Sequence, residues 1–392
     1  MPGVIIVGAS VAGVSVAESL REHGYSGPIR LFGAESRLPY DRPPLSKALL
    51  RADAPDDPPP LRPRSWYDEA GVELSLGRRA TGLVTGPHGV VLDEDDLATG
   101  DHLVIATGAR ARRLPGVDGP RVHYLRDHDD AGRLRTALAD PGRLVVLGAG
   151  FIGLEVAAAA VDRGWNVTVL EREPGPLTRV LGPRAGALCV RPHLARGTDL
   201  RFGAAVAETC PEGVRLEDGS VVPADLVVVG AGAVPNAGWL SGSGVEVSDG
   251  VVCDAHGRTS VPGVWAVGDV ARWRNELTGR HQRVEQWTSA RDQAALVARA
   301  IATGDSRGWA TPPYFWSDLF EHKVQFCGHA APDSTVWTAQ NGNRALALFG
   351  RAERLEAVLT VDAPRLLGLG RRRLAERGGW DEAVAWAKEA MA

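Results

Sequence analysis

Two glycine-rich segments, 140 residues apart, have the spacing of a phosphate-binding turn. Gly148, Gly150 and Gly153 form the pattern G-x-G-x-x-G, and residues 8–13 repeat it with Ser10 at the middle position. Such glycines allow a tight turn and a close backbone approach to a pyrophosphate, and the helix that follows offers free N–H groups to the anion. Each segment therefore predicts a dinucleotide site, since the side chain of Ser10 is small enough to keep that approach open.

An acidic residue follows each segment where the second strand of a β-α-β unit should end. Glu35 lies 22 residues after Gly13, and Glu171 lies 18 residues after Gly153. A carboxylate there binds ribose hydroxyls and repels a 2′-phosphate. The second site is therefore predicted to prefer NADH over NADPH, although Arg172 directly follows Glu171 and could weaken that preference.

Two dinucleotide sites in one chain indicate one nicotinamide and one flavin, because hydride transfer needs a donor and an acceptor in contact. Thr107 and Gly108 follow a strand predicted over residues 102–105, and Asp269 follows another apolar run. The carboxylate of Asp269 could hold the ribityl hydroxyls of a flavin, cap a helix, or do both. The alternative to two working sites is a duplicated fold in which one site no longer binds.

Each glycine segment needs a strand before it and a helix after it, and the hydrophobic periodicity supplies both. Apolar runs at residues 4–7 and 144–147 indicate buried parallel strands, and helical spacing follows over 11–23 and 151–164. A second strand is predicted after each helix. The chain therefore contains a duplicated β-α-β unit.

The rest of the chain predicts shorter strands and a separate C-terminal part. Short strands are expected over residues 71–105 and 200–230, a helix over 284–303, and strands again over 324–361 before a helix at Trp380–Met391. This pattern predicts an α/β fold with two Rossmann-like dinucleotide-binding domains and a small α+β C-terminal domain. The expected FAD-binding, NAD-binding and C-terminal domains are, in that order, 1–112 with 236–315, 113–235, and 316–392.

Composition and charge narrow the possible functions. The formal net charge is −4, which argues against broad binding to nucleic acid or to an anionic membrane. No apolar run approaches the ~20 residues of a membrane helix, and the N-terminus lacks the features of a signal peptide. The cysteines form no CxxC pair, so we expect reduced thiols and a cytoplasmic location. They are Cys189, Cys210, Cys253 and Cys327.

Thiol and metal chemistry find no support in the sequence. Disulfide reductases of the two-dinucleotide type need a cysteine pair on the helix after the first glycine segment, and thiol-based oxidases and peroxidases need one cysteine there. This chain has no cysteine before Cys189, so both chemistries are excluded. The histidines lack metal-ligand spacing; His123 and His128 are expected to lie in a loop.

Residues 39–47, with the sequence Pro-Tyr-Asp-Arg-Pro-Pro-Leu-Ser-Lys, carry a specific family resemblance. Together with the two glycine segments they resemble the ferredoxin, putidaredoxin and rubredoxin reductases that serve bacterial oxygenases. These belong to the flavoprotein superfamily that includes glutathione reductase, with the apoptosis-inducing flavoprotein as a more distant relative. Supporting segments are residues 124–126, 150–155, 234–236 and 315–318, with Trp287.

The resemblance implies a catalytic pair, Lys47 and Glu155. Lys47 would lie beside the flavin ring, where its charge stabilises the negative charge that a flavin gains on reduction, and Glu155 would partly neutralise it. The alternative is that Lys47 is a solvated helix residue. The residues that the resemblance assigns to FAD are Gly8, Ser10, Ala12, Gly13, Glu35, Arg42, Lys47, Ala80, Thr107, Gly108, Arg126, Asp269 and Trp287. Those assigned to NADH are Gly148, Gly150, Ile152, Gly153, Glu155 and Glu171.

The function implied by the resemblance is that of a ferredoxin–NAD(+) reductase. Electrons would pass from NADH through FAD to a small iron–sulfur ferredoxin, most simply of the 2Fe–2S type, which supplies a monooxygenase or dioxygenase. An NADH oxidase or diaphorase without a protein partner and a redox-sensing flavoprotein are the alternatives. Ferredoxins are usually acidic, so the arginines at 371–373 and 377 could belong to a docking face or only to a solvated helix face. A monomer or weak dimer is expected.

Overall fold

The strands and helices that the apolar runs predict are present, together with short elements that these runs did not predict. The structure is a computed structural model that describes residues 3–86, 88–93 and 96–392. Up to residue 150 the strands are β1 (Val4–Val7), β2 (Ile29–Gly33), β3 (Val72–Leu76), β4 (Ala80–Thr85), β5 (His88–Leu92), β6 (Leu97–Thr99), β7 (His102–Ile105), β8 (Ala109–Ala111), β9 (Val122–Tyr124) and β10 (Arg143–Leu147). The next are β11 (Asn166–Glu171), β12 (Asp199–Phe202), β13 (Val206–Cys210), β14 (Gly213–Leu216), β15 (Val221–Pro223), β16 (Leu226–Val229), β17 (Ala233–Pro235), β18 (Val251–Cys253), β19 (Val264–Ala266), β20 (Ala271–Asn275) and β21 (Arg280–Arg283). The last are β22 (Tyr314–Leu319), β23 (His322–Gly328), β24 (Thr335–Asn341), β25 (Arg344–Arg351) and β26 (Arg354–Val361).

The helices lie between these strands and after them. They are α1 (Val11–Glu22), α2 (Arg64–Glu69), α3 (His128–Ala137), α4 (Phe151–Asp162), α5 (Thr178–Cys189), α6 (Arg191–Ala195), α7 (Trp287–Thr303), α8 (Pro364–Ala375) and α9 (Trp380–Met391). The chain divides into two units by its internal contacts. Unit 1 comprises the residues up to 41 with 59–110 and 234–313, and unit 2 comprises 42–58, 111–233 and 314–392.

Unit 1 contains a five-stranded parallel sheet with the order β19-β7-β1-β2-β3. All four residues of β1 are buried, as expected for a central parallel strand covered on both faces. Helix α1 follows β1 directly and packs against α7. Two smaller three-stranded sheets, β4-β5-β6 and β18-β20-β21, complete the unit.

Unit 2 repeats this arrangement with the order β12-β11-β10-β16-β9, again parallel throughout. Helix α4 follows β10 as α1 follows β1, so the predicted duplication of the β-α-β unit is confirmed. An antiparallel sheet, β13-β14-β15, lies between β12 and β16 in the chain.

The C-terminal part of unit 2 is an antiparallel sheet with the order β22-β23-β26-β25-β24. Helices α8 and α9 pack on it, and Leu346, Leu348 and Val358 of the sheet lie in one buried cluster with residues of both helices. The structure therefore confirms the predicted fold class, an α/β chain with two Rossmann-like modules and a small α+β C-terminal part.

Two expectations about local structure were wrong or incomplete. His123 and His128 do not lie in a loop, because His123 is in β9 and His128 begins α3. The three-residue strand β9 is too short to show a hydrophobic period, and α3 begins with a capping box of Asp127 and Asp130 rather than with an apolar run. Within the described part of the chain, no helix has the length and apolar character needed to cross a bilayer.

Candidate functional site

The predicted flavin residues of unit 1 gather at one edge of its parallel sheet. Gly8 follows β1, Glu35 follows β2, Thr107 follows β7 and Asp269 follows β19. Because these strands are parallel, their carboxyl ends face the same side, where open α/β sheets bind ligands. Four segments that are far apart in the sequence thus lie at one edge of one sheet.

The backbone at this edge is packed too closely for larger residues. Gly8 has φ +116°, and a Cβ there would overlap the carbonyl oxygen of Ala106. A Cβ on Gly13 would overlap the carbonyl oxygen of Gly8, and one on Gly268 would lie 2.9 Å from the Cβ of Ala12. The turn is thereby held against the neighbouring strands, with the N–H groups of the first turn of α1 free of partners within the helix. This geometry fits a pyrophosphate.

Three further residues assigned to FAD lie in unit 1, and hydrogen bonds hold them or their neighbours. Ser10 precedes α1 in an extended conformation, and its carbonyl accepts the N–H of Val14 at 2.9 Å. The carboxylate of Glu35 accepts the hydroxyl of Tyr40 at 2.6 Å. Ala80 lies just beyond Arg78, whose N–H donates to the carbonyl of Gly33 at 2.8 Å.

Thr107 and Gly108 are tied to the segment at residues 234–236. The hydroxyl of Thr107 donates to the carbonyl of Asn236 at 2.8 Å, and the side-chain amide of Asn236 donates back to the carbonyl of Thr107 at 3.0 Å. The N–H of Asn236 donates to the carbonyl of Gly108 at 2.9 Å. This reciprocal pair fixes the turn after β7 at the edge of the sheet.

Gln293 belongs to the same edge, and the sequence analysis did not select it. Its side chain is fully buried in α7, and its carbonyl oxygen accepts the N–H of Gly268 at 2.9 Å. Its amide nitrogen is buried without a hydrogen-bond partner among the described residues. A polar residue on the apolar face of α7, between Ala290 and Val297, was the signal that could have identified it.

The side chain of Trp287, the first residue of α7, makes a hydrogen bond and a cation–π contact. Its indole N–H donates to the carboxylate of Asp41 at 2.7 Å, and the guanidinium of Arg291 lies 4.9 Å from its ring centre. The indole and Ser15 of α1 line a cavity of about 280 Å³ in unit 1. The three other residues assigned to FAD, Arg42, Lys47 and Arg126, belong to unit 2.

Unit 2 builds its turn with the same overlaps as unit 1. A Cβ on Gly148, which has φ +106°, would lie 2.6 Å from the carbonyl oxygen of Gly230, and one on Gly153 would overlap the carbonyl oxygen of Gly148. A Cβ on Gly150 would meet nothing closer than 3.8 Å. The middle position therefore tolerates a side chain, which is consistent with Ser10 at the same place in unit 1.

Glu171, at the end of β11, contacts the glycine turn directly. Its carboxylate accepts the N–H of Ala149 at 2.8 Å and that of Glu173 at 2.9 Å. The carboxylate therefore lies beside the turn, where a ribose hydroxyl is expected in a dinucleotide fold. Ile152 is in the first turn of α4 and is 45% exposed, so it is open to a ligand in that region.

Glu155, in the second turn of α4, is buried at 5% exposure and accepts three hydrogen bonds. Lys47 Nζ lies 2.8 Å from Glu155 Oε1, and the hydroxyl of Ser317 donates to the same oxygen at 2.5 Å. The hydroxyl of Ser46 donates to Oε2. Lys47 stands between two short turns with its side chain 20% exposed, so it is not a solvated helix lysine.

The family resemblance paired Lys47 with Glu155 but gave no role to Ser46 or Ser317. Both serines lie in segments that carry the resemblance, and no spacing in the chain connects either of them to Glu155. Arg42 and Arg126, also in unit 2, contact each other: the guanidinium of Arg42 donates to the carbonyl of Arg126 at 2.6 Å. The N–H of Arg126 donates to the carboxylate of Asp130 at 3.0 Å, at the start of α3.

Three of the four cysteines are poorly suited to thiol chemistry. All four are free, and Cys189, Cys253 and Cys327 are buried. Burial raises the pKa of Cys189 to about 12 and the pKa of Cys327 to about 11, and it also raises the pKa of Cys253. The reactive thiolate of these three residues is therefore scarce at neutral pH. The described residues contain no group of three or more histidine, cysteine or acidic side chains that could hold a metal ion.

Comparison with known proteins gives matches over most of the chain. Residues 2–294 match the family described as pyridine nucleotide-disulphide oxidoreductase, and residues 314–391 match the domain described as reductase C-terminal. The ferredoxin–NAD(+) reductase component of the p-cumate 2,3-dioxygenase system of Pseudomonas putida is 36% identical over 384 residues, which cover 96% of this chain and 94% of that protein.

Solved structures are similar over the same length. A ferredoxin reductase from Rhodopseudomonas palustris superposes with a TM-score of 0.93 at 34% identity, and the match covers 100% of both chains. The reductase in a covalent putidaredoxin reductase–putidaredoxin complex superposes with a TM-score of 0.90 at 34% identity, covering 96% of this chain and 93% of that one.

Proposed function

The chain belongs to the pyridine nucleotide-disulphide oxidoreductase family, and we propose that it is an FAD-dependent ferredoxin–NAD(+) reductase. It passes electrons from NADH through FAD to a small iron–sulfur ferredoxin, which in turn supplies an oxygenase. The observation that carries this proposal is the presence of two tightly packed glycine turns in one chain, of which the second is followed by a buried carboxylate paired with a lysine.

The turn of unit 1 fits FAD. Gly8, Ser10, Ala12 and Gly13 would hold its pyrophosphate through backbone N–H groups, which the close packing against Ala106 keeps in place. The further residues proposed for FAD are Glu35, Arg42, Lys47, Ala80, Thr107, Gly108, Arg126, Asp269 and Trp287. When bound, a flavin accepts two electrons together from a nicotinamide and releases them singly, which is what coupling NADH to a one-electron carrier requires.

The turn of unit 2 fits NADH. Gly148, Gly150, Ile152 and Gly153 would hold its pyrophosphate, and the carboxylate of Glu171 would bind the ribose 2′-hydroxyl. The same negative charge would repel the 2′-phosphate of NADPH. The contact of Glu171 with the N–H of Ala149 supports this role, because it fixes the carboxylate beside the turn.

Lys47 and Glu155 are the proposed catalytic pair. A lysine with four-fifths of its side chain covered keeps its charge only where an opposite charge compensates it, and Glu155 at 2.8 Å does so. A fixed positive charge in a site that excludes water lowers the energy of a negative charge that develops nearby. Lys47 thus favours the transfer of electrons into the flavin, and Glu155 keeps the ammonium group in place.

Domain limits and location follow from the same assignment. The FAD-binding domain is proposed at residues 1–112 with 236–315, the NAD-binding domain at 113–235 and the C-terminal domain at 316–392. We place the protein in the cytoplasm, where its electron donor NADH is available, and expect a monomer or weak dimer.

The test uses the yellow holoenzyme without oxygen. Mixing it with NADH should bleach the flavin rapidly, NADPH should bleach it much more slowly, and an oxidised 2Fe–2S ferredoxin added next should be reduced as the flavin colour returns. Lys47→Met should slow bleaching by about 100-fold, as expected when a group that stabilises developing charge is removed. Lys388→Met, at an exposed position of α9, is the matched control and should bleach at the normal rate.

Two results would contradict the proposal. Fast bleaching by NADH without reduction of any ferredoxin would indicate an NADH oxidase or diaphorase. An absence of bound flavin in the purified protein would show that the turn of unit 1 does not serve FAD.

A further inference from the structure

We propose that Ser317, in the first strand of the C-terminal sheet, is a positioning residue of the NADH site. It acts through Glu155, whose carboxylate it holds in the orientation that meets Lys47. This inference rests on the proposed function, because it assigns NADH to the glycine turn that begins α4. It also gives the C-terminal part of unit 2 a direct role in that site.

The contact arises from two matching periodicities. On α4, Phe151 and Glu155 are four residues apart and lie on the same face of the helix. On β22, Phe315 and Ser317 are two residues apart and point to the same side of the strand. The ring centres of Phe151 and Phe315 lie 4.6 Å apart, and the hydroxyl of Ser317 donates to Glu155 Oε1 at 2.5 Å. The aromatic contact therefore sets the register that brings the hydroxyl to the carboxylate.

The hydrogen bonds leave the carboxylate little freedom. A carboxylate has about four acceptor positions, and three of those of Glu155 are occupied by Lys47, Ser46 and Ser317. Ser317 is fully buried, so water cannot replace its hydroxyl without a rearrangement. Removing that donor would leave a buried charged oxygen with one partner fewer, which lets the carboxylate turn away from Lys47.

Geometry also explains why Ser46 cannot substitute for Ser317. Ser46 donates to Oε2, whereas Ser317 and Lys47 share Oε1. Ser317 is therefore the hydroxyl that fixes the oxygen facing the ammonium group. Each serine donates to a different oxygen of the carboxylate. The loss of either hydroxyl should let the carboxylate rotate about the hydrogen bond that remains.

The experiment separates the nicotinamide half of the ligand from the adenine half. Calorimetry on the holoenzyme gives the Kd of NAD+ and of ADP-ribose, which lacks the nicotinamide, for the wild type and for Ser317→Ala, Ser46→Ala and Glu155→Gln. Stopped-flow bleaching with NADH gives the limiting rate of flavin reduction for each variant. The matched control is Thr360→Val, which removes another buried hydroxyl of the same sheet that has no hydrogen-bond partner among the described residues.

We expect Ser317→Ala to lower the limiting rate about ten-fold, the effect of losing one hydrogen bond to a charged group. It should raise the Kd of NAD+ relative to that of ADP-ribose, and leave the Kd of ADP-ribose within about two-fold, because the family resemblance assigns Glu155 to the nicotinamide half of the ligand. Ser46→Ala should act in the same direction, and Thr360→Val should change none of these values. In the Glu155→Gln background, Ser317→Ala should have little further effect, because the carboxylate through which it acts is gone.

Three outcomes would overturn the inference, and they differ from a failure of the proposed function. If Glu155→Gln slows bleaching while Ser317→Ala behaves as wild type, Ser317 has no positioning role and the proposed function stands. If Ser317→Ala weakens NAD+ and ADP-ribose equally, its role is only structural. If Glu155→Gln itself leaves bleaching and NAD+ binding unchanged, the proposed role of Glu155 fails, and the inference fails with it.

Discussion

The two glycine turns are closed by corresponding backbone contacts but differ in the helix that follows. Two residues after the last glycine of each turn, α1 carries Ser15 and α4 carries Glu155, which are both buried at 6% and 5% exposure. Helix α1 presents this part of its surface beside α7, whereas α4 packs against β22 and the turn that contains Ser46. The duplicated module thus supplies a glycine turn twice, and the buried carboxylate of the proposed catalytic pair stands on one copy only.

Each module also has a glutamate at or just after the end of its second strand. Glu171 accepts N–H groups of Ala149 and Glu173, so its carboxylate is fixed by the turn itself. The carboxylate of Glu35 accepts the hydroxyl of Tyr40. The two acids stand in separate modules, so the substitutions below should affect the two cofactors separately.

The largest expected effect comes from adding a methyl group to the most closely packed glycine of each turn. Gly13→Ala should weaken FAD binding roughly 1000-fold, because the new methyl group would overlap the carbonyl oxygen of Gly8 and neither backbone segment can yield cheaply. Gly153→Ala should weaken NAD+ binding to a similar degree and leave FAD bound. Flavin retention during gel filtration and calorimetry with NAD+ measure the two effects.

The control for these substitutions is Gly132→Ala, in α3 of unit 2 and outside the turn. A Cβ at this position has no neighbour within 4 Å, so NAD+ should bind within about three-fold of the wild type. If Gly153→Ala and Gly132→Ala were equally harmless, the close packing of the turn would not be what holds the dinucleotide.

A buried histidine should make unit 2 sensitive to acid. His193 is fully buried, with its ring 4.9 Å from Phe320 and Nδ1 3.4 Å from the hydroxyl of Thr198. Burial lowers the pKa of His193 from 6.5 to about 4. The unfolded chain therefore takes up a proton below pH 6.5 that the folded chain does not bind until about pH 4. The free energy of unfolding should fall by on the order of 3 kcal/mol as the pH decreases through that window.

Denaturant unfolding at several pH values, followed by far-UV circular dichroism, checks this prediction. His193→Gln should lose the part of the pH dependence that begins near pH 6.5, whatever its own stability at neutral pH. Equal slopes for the two proteins between pH 6.5 and pH 5 would show that His193 is not the titrating group.

The smallest expected effect concerns the choice of nicotinamide cofactor. Glu171→Gln keeps an oxygen that can accept the N–H of Ala149 but removes the charge that repels a 2′-phosphate. The ratio of kcat/KM for NADH to that for NADPH should fall about ten-fold, equivalent to one hydrogen bond to a charged group. Glu35→Gln is the matched change in unit 1 and should leave the ratio unaltered, so a similar shift in both variants would remove the distinction between the two acids.

Much of the fold and part of the site could be predicted from the sequence, because those features depend on short separations along the chain. Gly148, Gly150 and Gly153 lie within six residues, and the strand before them and the helix after them show their own hydrophobic periods. The duplication and the position of Glu171 follow from the same local pattern. Strand β9 was missed because its three residues are too few to show a period.

Tertiary structure alone decided what surrounds the carboxylate of Glu155. Ser46 and Ser317 meet Glu155 across 109 and 162 residues of chain, and Gln293 meets Gly268 across 25. No spacing rule connects such residues, because the contact depends on the register of a strand against a helix and on the rotamers that close packing allows. The sequence by itself determined which residues form the two turns, and the packing of α4 against β22 determined which hydroxyl groups hold Glu155.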